Sequence, residues 1–241
     1  MDIWAPTLPQ RPLRVSLSGL YQSHELYGAG HFIEAAVAYH KATGNQLVLD
    51  TACRLADCLD RHFGPEKDKI HGYDGHEEIE LALFRLYETV GNKRYLELGK
   101  YFLYQRGKDP DFFRKQCQAD KDKSVFIEGM EGFKDSYYQN HKPVLEQETA
   151  EGHAVRVMYM CTGMTMLARL KNDEKMRQAA RGPLVYCAES IDNGEGLERI
   201  RLMDGMAIPQ MIYNPKAKGA AVPFAFMSNF TRKLQLLTQG V

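Results

Sequence analysis

The sequence has little of what marks nucleic-acid-binding, membrane or secreted proteins. Its 31 basic residues equal its 31 acidic residues, so the zero formal net charge gives no general attraction to phosphate backbones or acidic membranes. No apolar run reaches the roughly 18 residues that a transmembrane helix needs. The first residues lack the basic head and the apolar core of a signal peptide. These absences predict a cytoplasmic protein that binds neither nucleic acid nor membranes.

Cysteine is sparse, and its positions form no pattern that pairs or binds metal. The cysteines are odd in number, widely spaced and without a CxxC pair: Cys53, Cys58, Cys117, Cys161 and Cys187. Such a set is typical of reduced, mostly buried thiols rather than of a disulfide framework or a zinc cage. A chain of 241 residues, 44% of them hydrophobic, can bury a sufficient core without disulfide bonds. Its length fits one domain or two small ones.

What the sequence does have is a series of helical segments that end at glycine. Between residues 23 and 107, apolar residues recur at intervals of three and four, the spacing of a helix with one buried face. The segments end at four glycines, which adopt the left-handed conformation of a helix C-terminus without strain: Gly44, Gly64, Gly91 and Gly107.

A repeat and a third segment extend this pattern into helical hairpins. Residues 42–52 resemble residues 89–99, with their glycines 47 residues apart, so two helix-turn-helix units follow one plan. A third unit begins at Gly152, and its helix runs to Leu170 before a polar turn over 171–174. Apolar residues lie almost all round this third helix, which predicts an inner helix buried on several sides.

The rest of the chain lacks helical periodicity. Residues 108–151 mix charges, aromatic residues and a proline, and we expect a long loop there that is either functional or disordered. After Arg181, short apolar runs and turn residues predict strands over 183–188 and 197–202. A final helix is expected over 229–237.

Histidines mark the expected helix starts. His24 opens the first helix, and His76 and His153 each follow a glycine where an inner helix begins. Because the ends of inner helices in an array of hairpins surround one mouth, we expect these three side chains to converge on one ligand. Each imidazole nitrogen can donate or accept a hydrogen bond, which suits the hydroxyls of a sugar. The alternative, that the histidines only cap or fill helix ends, stays open.

Two other groups of polar residues are interpreted mainly as structural. The acidic run of Glu77, Glu78 and Glu80 is interpreted as a solvated helix face or as partners of the helix dipole, and the alternative that one member reaches a substrate stays open. His24 and His31 are seven residues apart, about 10 Å along a helix axis, so these two side chains cannot hold one metal ion together.

Four segments, in this order and spacing, resemble one enzyme family. Residues 23–39, 75–83, 100–107 and 151–159 read SHELYGAGHFIEAAVAY, GHEEIELAL, KYFLYQRG and EGHAVRVMY. They strongly resemble glycoside hydrolase family 127, the β-L-arabinofuranosidases and their relatives, over roughly residues 14–175.

The resemblance implies an (α/α)6 toroid with β-sandwich material attached. It also implies a retaining exo-glycosidase whose nucleophile is a zinc-held cysteine thiolate, assisted by a glutamic acid/base. His24, His76 and His153 match family histidines that line the sugar pocket, and Gly28 stands where the family commonly has cysteine.

The chain departs from the family in the catalytic segment. Residues 181–193 resemble the family's β-rich region, so between Lys175 and Arg181 the chain omits the stretch that carries the family's Glu-x-Cys and Cys-Cys zinc ligands and its acid/base glutamate. Neither motif occurs elsewhere in the sequence. We therefore identify no catalytic nucleophile or acid/base, and we expect no zinc or other cofactor.

These observations together predict a mainly α protein. Residues 1–176 are expected to form an incomplete (α/α)6 toroid of helical hairpins, and residues 177–241 a short C-terminal β-rich remnant with an irregular tail. Three hairpins, where six would close the ring, leave two apolar flanks uncovered, which favours self-association.

Three functions fit this sequence. The first is an inactive, shortened β-L-arabinofuranosidase that keeps part of a pocket for a small carbohydrate. The second is a non-catalytic carbohydrate-binding or assembly module. The third is a sugar epimerase that uses two of His24, His76 and His153 as proton donor and acceptor without a metal.

Overall fold

The computed structural model describes Leu17, residues 19–120 and residues 135–192, and in these ranges the secondary structure is helical. The helices are α1 (Glu25–Thr43), α2 (Gln46–His62), α3 (Glu78–Val90), α4 (Lys93–Gln105), α5 (Phe112–Asp120), α6 (Ala154–Lys171) and α7 (Glu174–Asp192). Two 3₁₀ turns, Asp135–Tyr138 and Val144–Glu146, lie between α5 and α6. The strand predicted over 197–202 and the helix predicted over 229–237 lie outside the described residues.

Hairpins of successive helices confirm the repeat. α1 packs against α2, α3 against α4, and α6 against α7. Each of the first two hairpins has a Gly-Asn turn between its helices. Gly44 and Gly91 end their helices with φ near 73° and 74°, and Asn45 and Asn92 each accept a hydrogen bond from the backbone amide two residues on. One dipeptide therefore ends one helix and caps the next.

α3 packs between α1 and α6. One face of α3 joins a core formed with α1, α2 and α4, through Ile79, Leu83 and Leu86. Its other face joins a second core formed with α6 and α7, through Leu81 and Phe84. The first helices of the three hairpins therefore lie side by side, with α3 in the middle.

The third hairpin has the buried inner helix that the sequence predicts. Val157, Cys161, Met164 and Leu167 of α6 are buried in the second core. The helix ends at Asn172, which adopts a left-handed conformation with φ 51° in the predicted polar turn.

The predictions for Gly64 and for the long loop are wrong. Gly64 does not end α2, because this helix stops at His62 and Phe63 continues in an extended conformation that pairs with Ile70. The segment over 108–151 contains α5 and both 3₁₀ turns rather than a loop without helices.

The strand predicted over 183–188 is also wrong, because α7 covers these residues. A short apolar run cannot by itself distinguish a strand from a buried helix segment. Here α7 packs against α6, and this packing favours a helix even though Pro183 removes one backbone hydrogen bond.

The wider architecture is confirmed only in its helical character. Closure of the hairpins into a toroid, the boundary between residues 176 and 177 and the β-rich remnant stay predictions. In the part of the chain that the structure describes, no helix combines the length and the apolar character needed to cross a bilayer.

Candidate functional site

The N-terminal ends of α1, α3 and α6 carry the three predicted histidines. His24 immediately precedes α1, His153 immediately precedes α6, and His76 lies two residues before α3. The rings of His24 and His76 are in contact, with their centroids 4.0 Å apart. His24 has a left-handed backbone conformation with φ 54°, and its Nδ1 lies 2.8 Å from the carbonyl oxygen of Gln22. The fold thus brings the first two histidines together.

Arg156 connects His76 to α6. Its Nη2 lies 3.0 Å from Nε2 of His76. A guanidinium can only donate, so this imidazole nitrogen accepts and the ring proton lies on Nδ1. Burial of the ring, and next the charge of Arg156, lowers the pKa of His76 to about 2. His76 is therefore a neutral imidazole.

A tight turn places His153 beside the same guanidinium. Gly152 has φ 80°, and a Cβ there would lie 1.8 Å from the carbonyl oxygen of Ser136, so only glycine permits this packing. The packing sets Tyr137 edge-on to His153, with ring centroids 5.5 Å apart, and Cζ of Arg156 lies 4.6 Å from the Tyr137 centroid. Burial, and next the charge of Arg156, lowers the pKa of His153 to about 4.

We refer to His24, His76, His153 and Arg156 as the histidine cluster. Aromatic rings extend it along α1. Tyr27 lies one helical turn after His24, with its ring centroid 5.2 Å from that of His76. Together with Tyr27, the cluster offers imidazoles, those of His76 and His153 neutral because their pKa values are lowered, and one guanidinium. This set suits a ligand rich in hydroxyl groups.

Arg156 and Tyr27 are side chains of the site that the sequence analysis missed. Each lies three residues after a predicted histidine, and this spacing places two side chains on one helix face. That spacing is the signal that could have found them. Tyr137 gives no such signal, because its position depends on how the 3₁₀ turn packs against Gly152.

The acidic run behind the histidines is buried, so its interpretation as a solvated helix face is wrong. Glu77 and Glu80 are fully buried, with one oxygen of each 3.1 Å and 3.5 Å from the guanidinium of the fully buried Arg106. Arg106 also donates to the carbonyl oxygens of Tyr138 and Asp74, at 2.8 Å and 2.7 Å. Burial raises the pKa of Glu77 to about 7, although Arg106 opposes the rise. This ion network fixes the start of α3 against α4.

Glu78 extends towards α1 instead. Its side chain is fully buried, and its Oε1 lies 3.3 Å from Nδ1 of His31. Burial, and next the charge of Glu34, raises the pKa of Glu78. α1 and α3 approach closely here because residue 30 is glycine: a Cβ on Gly30 would lie 2.7 Å from Cγ of Glu78.

The described cysteines do not fit the thiolate-bound zinc that the family resemblance implies. Cys117 is buried in the first core and Cys161 in the second, while Cys53 and Cys58 both lie on α2. In the described ranges, the group of side chains whose ligand atoms lie close enough to share a metal ion contains no cysteine.

Two family descriptions match the sequence. The beta-L-arabinofuranosidase GH127 catalytic domain matches residues 2–182. The glycoside hydrolase family 127 C-terminal domain matches residues 164–234. The two matches overlap in α6 and α7.

Individual relatives match the same part of the chain. The non-reducing end beta-L-arabinofuranosidase of Bifidobacterium longum subsp. longum is 50% identical over 179 residues, which cover 74% of this chain and 26% of that protein. The crystal structure of a GH127 beta-L-arabinofuranosidase from Geobacillus stearothermophilus T6 has a TM-score of 0.65 and 46% identity, over 70% of this chain and 26% of the other. A further GH127 beta-arabinofuranosidase structure has a TM-score of 0.58 and 28% identity, over 87% and 34% of the two chains. The chain thus spans about a quarter of the length of its curated relative.

Proposed function

Because the chain belongs to glycoside hydrolase family 127, we propose that it is a shortened member that keeps part of a carbohydrate site but does not catalyse hydrolysis. His24, His76 and His153 are the proposed sugar-binding residues. The proposed ligand is a terminal β-L-arabinofuranoside, since the similar Bifidobacterium protein is named a non-reducing end beta-L-arabinofuranosidase.

The observation that carries this proposal is the convergence of the histidine cluster. Residues from three hairpins, separated by 52 and 77 positions, lie around one guanidinium. A neutral imidazole donates through one nitrogen and accepts through the other. Since Nε2 of His76 accepts from Arg156, the N–H at Nδ1 is the group that this ring offers to a sugar hydroxyl. The lowered pKa values of His76 and His153 support this state at neutral pH.

Two observations support the loss of hydrolysis. The C-terminal-domain match begins at residue 164, before the catalytic-domain match ends at residue 182, so the chain passes from one domain to the other without an intervening segment. The sequence also contains neither a Glu-x-Cys nor a Cys-Cys motif. A retaining glycosidase needs both a nucleophile and an acid/base, so we expect neither arabinofuranoside hydrolysis nor thiolate-bound zinc.

Calorimetry with the purified 241-residue chain and methyl β-L-arabinofuranoside tests the proposed site. His76→Gln should weaken binding about tenfold, the effect of losing one buried hydrogen bond to the ligand. His40→Gln is the matched control, because His40 is a half-buried histidine in the last turn of α1, at the other end of the helix from His24. If His76→Gln bound the sugar as tightly as the wild type, the histidine cluster would not be the sugar site and the proposal would be contradicted.

An arabinose-release assay, with and without added Zn²⁺, tests the loss of hydrolysis separately. We expect no release above the rate without protein. Zinc-dependent turnover would show that the chain has the machinery that we propose it lacks.

The epimerase interpretation stays a prediction. It needs one histidine to accept a proton and another to donate one. The lowered pKa values of His76 and His153 leave both imidazoles without the additional proton at neutral pH, and this disfavours them as the acid. Incubation with candidate sugars, followed by analysis for the epimer, tests it.

A further inference from the structure

We propose that His31, Glu34 and Glu78 form a binding site for one divalent transition-metal cation between α1 and α3. His31 and Glu34 lie three residues apart on α1, and Glu78 is the first residue of α3. One ligand atom from each of the three residues lies within 4.8 Å of the other two. Ligand atoms bound at about 2.0–2.2 Å to one cation are about 3–4.4 Å apart, so small side-chain rotations complete the geometry.

The environment of Glu78 points to a bound cation. Its side chain is fully buried, and the side chain hydrogen-bonded to it is a second carboxyl group, Glu34, rather than a cation. Two adjoining carboxyl groups cannot both ionise in a buried place unless a cation lies between them, and buried charges are usually paired or bound to metal. His31 contacts Glu78 from only one side, at 3.3 Å. A cation between the two helices would supply the missing partner.

Glu34 and His31 complete the site and open it to solvent. Oε1 of Glu34 lies 2.5 Å from Nη1 of Arg85. This ion pair orients the carboxylate beside Glu78, and a bound cation would replace the hydrogen bond between the two carboxyl groups. The side chain of His31 is 43% exposed, so a cation and its water ligands can enter from this side.

The donor set favours a transition metal. One imidazole nitrogen and two carboxylates suit Zn²⁺, Mn²⁺ or Co²⁺, whereas Mg²⁺ and Ca²⁺ prefer oxygen ligands alone. The site has no thiolate, so it differs from the zinc centre that the family resemblance implies. It does not depend on the proposed sugar site, although the His31 ring lies 4.4 Å from Tyr27, which borders the histidine cluster.

Calorimetric titration of the chelator-treated, full 241-residue chain with Zn²⁺ tests this site. We expect one equivalent to bind to the wild type and His31→Gln to weaken that binding at least about tenfold. His40→Gln, on the same helix but outside the group, should bind as the wild type does. Absence of stoichiometric binding to the wild type, or equal binding by His31→Gln, would overturn the proposal.

A cobalt spectrum and a second variant keep the test decisive. Co²⁺ bound by nitrogen and oxygen lacks the intense sulfur-to-metal charge-transfer band that a thiolate ligand gives, so we expect the wild-type spectrum without this band. Its presence would place the cation at a cysteine and refute the site. The circular dichroism spectrum of His31→Gln shows whether this variant keeps the helices of the wild type. If it does not, Glu34→Gln replaces it in the titration and should also weaken Zn²⁺ binding at least about tenfold.

Discussion

Arg156 is the residue on which the histidine cluster depends. Its guanidinium donates to His76, and its Cζ lies 4.6 Å and 4.7 Å from the ring centroids of Tyr137 and Tyr138. A positive charge at this point opposes protonation of His76 and His153. Both imidazoles are therefore neutral, which is the state that the proposed sugar site requires. Because Nε2 of His76 accepts from Arg156, this ring can only donate to a ligand, through Nδ1.

Arg156→Gln should raise the pKa of His153. The charge of Arg156 is the second cause of the lowered pKa, and burial is the first, so the new value should stay below the ordinary 6.5. An NMR titration of the imidazole signals measures it. Arg169→Gln, on the exposed end of α6, is the control. A His153 pKa that stays the same or falls would contradict the role assigned to Arg156.

His153 should also make the fold sensitive to acid. Below pH of about 6.5 the unfolded chain protonates this histidine, whereas the folded chain does so only near pH 4. The unfolded state then binds more protons, so the contribution of His153 to stability falls as the pH drops from about 6.5 to 4. Urea denaturation at pH 7 and pH 5 should show a smaller loss for His153→Gln than for the wild type. Equal losses would contradict this prediction.

The sequence predicts part of this site, for identifiable reasons. His24, His76 and His153 are predictable because they mark helix starts, and helix starts of successive hairpins lie close together. The burial of Glu78 is not predictable, because the sequence of an acidic first turn is the same whether solvent or a neighbouring helix covers it. Only the packing of α3 between α1 and α6 decides that it is buried.

At the scale of elements, the contact between α1 and α3 brings the site residues together, and Gly30 sets its distance. Gly30→Ala should lower the free energy of unfolding by about 1–3 kcal/mol, since the new Cβ would contact Glu78 at 2.7 Å and force the helices apart. Gly28→Ala is the matched control on the same helix. A Cβ there meets no atom within 4 Å, so the better helix propensity of alanine should stabilise by about 0.5–1 kcal/mol. Urea denaturation measures the free energy of unfolding of both variants. If both variants were more stable than the wild type, or both less stable, the prediction would be contradicted.

Arg106 ties α3 to α4 and to the 3₁₀ turn before α6. Arg106→Met should destabilise the fold by about 3–5 kcal/mol, because it leaves Glu77 and Glu80 buried without their cation. Adding Glu77→Gln and Glu80→Gln to that variant should recover part of the loss, since the uncompensated carboxylates are then removed. Urea denaturation measures both variants. If the triple variant were no more stable than Arg106→Met, packing rather than charge would stabilise the contact between α3 and α4.

The helices themselves are predictable to different degrees. α1 to α4 follow from apolar spacing and from the repeated Gly-Asn turn, which carries both the end signal and the start signal. α5 and α7 do not, because the first is short and the second contains Pro183 and a run of β-prone residues. Their helical state depends on neighbouring elements.

At the scale of the whole molecule, the chain joins two family domains that meet within one hairpin. The catalytic-domain and C-terminal-domain matches overlap over residues 164–182, and the chain covers 26% of its curated relative. In the proposed account, three hairpins keep sugar-facing residues while the segment with the nucleophile is missing.

The predicted incomplete ring implies self-association. Hairpins that lack their ring neighbours leave apolar faces uncovered, and Tyr39 and Leu47 are 47% and 70% exposed in the first hairpin. Sedimentation velocity at increasing protein concentration should show species larger than the 27.5 kDa chain. A stable monomer at all concentrations would contradict this expectation.

The central claim is that the chain binds an arabinofuranoside and does not cleave it. One NMR titration of the 241-residue chain with methyl β-L-arabinofuranoside tests both parts, because the imidazole signals and free arabinose are seen in the same sample. We predict that the signals of His24, His76 and His153 shift with sugar concentration while no arabinose accumulates. Accumulating arabinose, or histidine signals that do not respond to the sugar, would contradict the account.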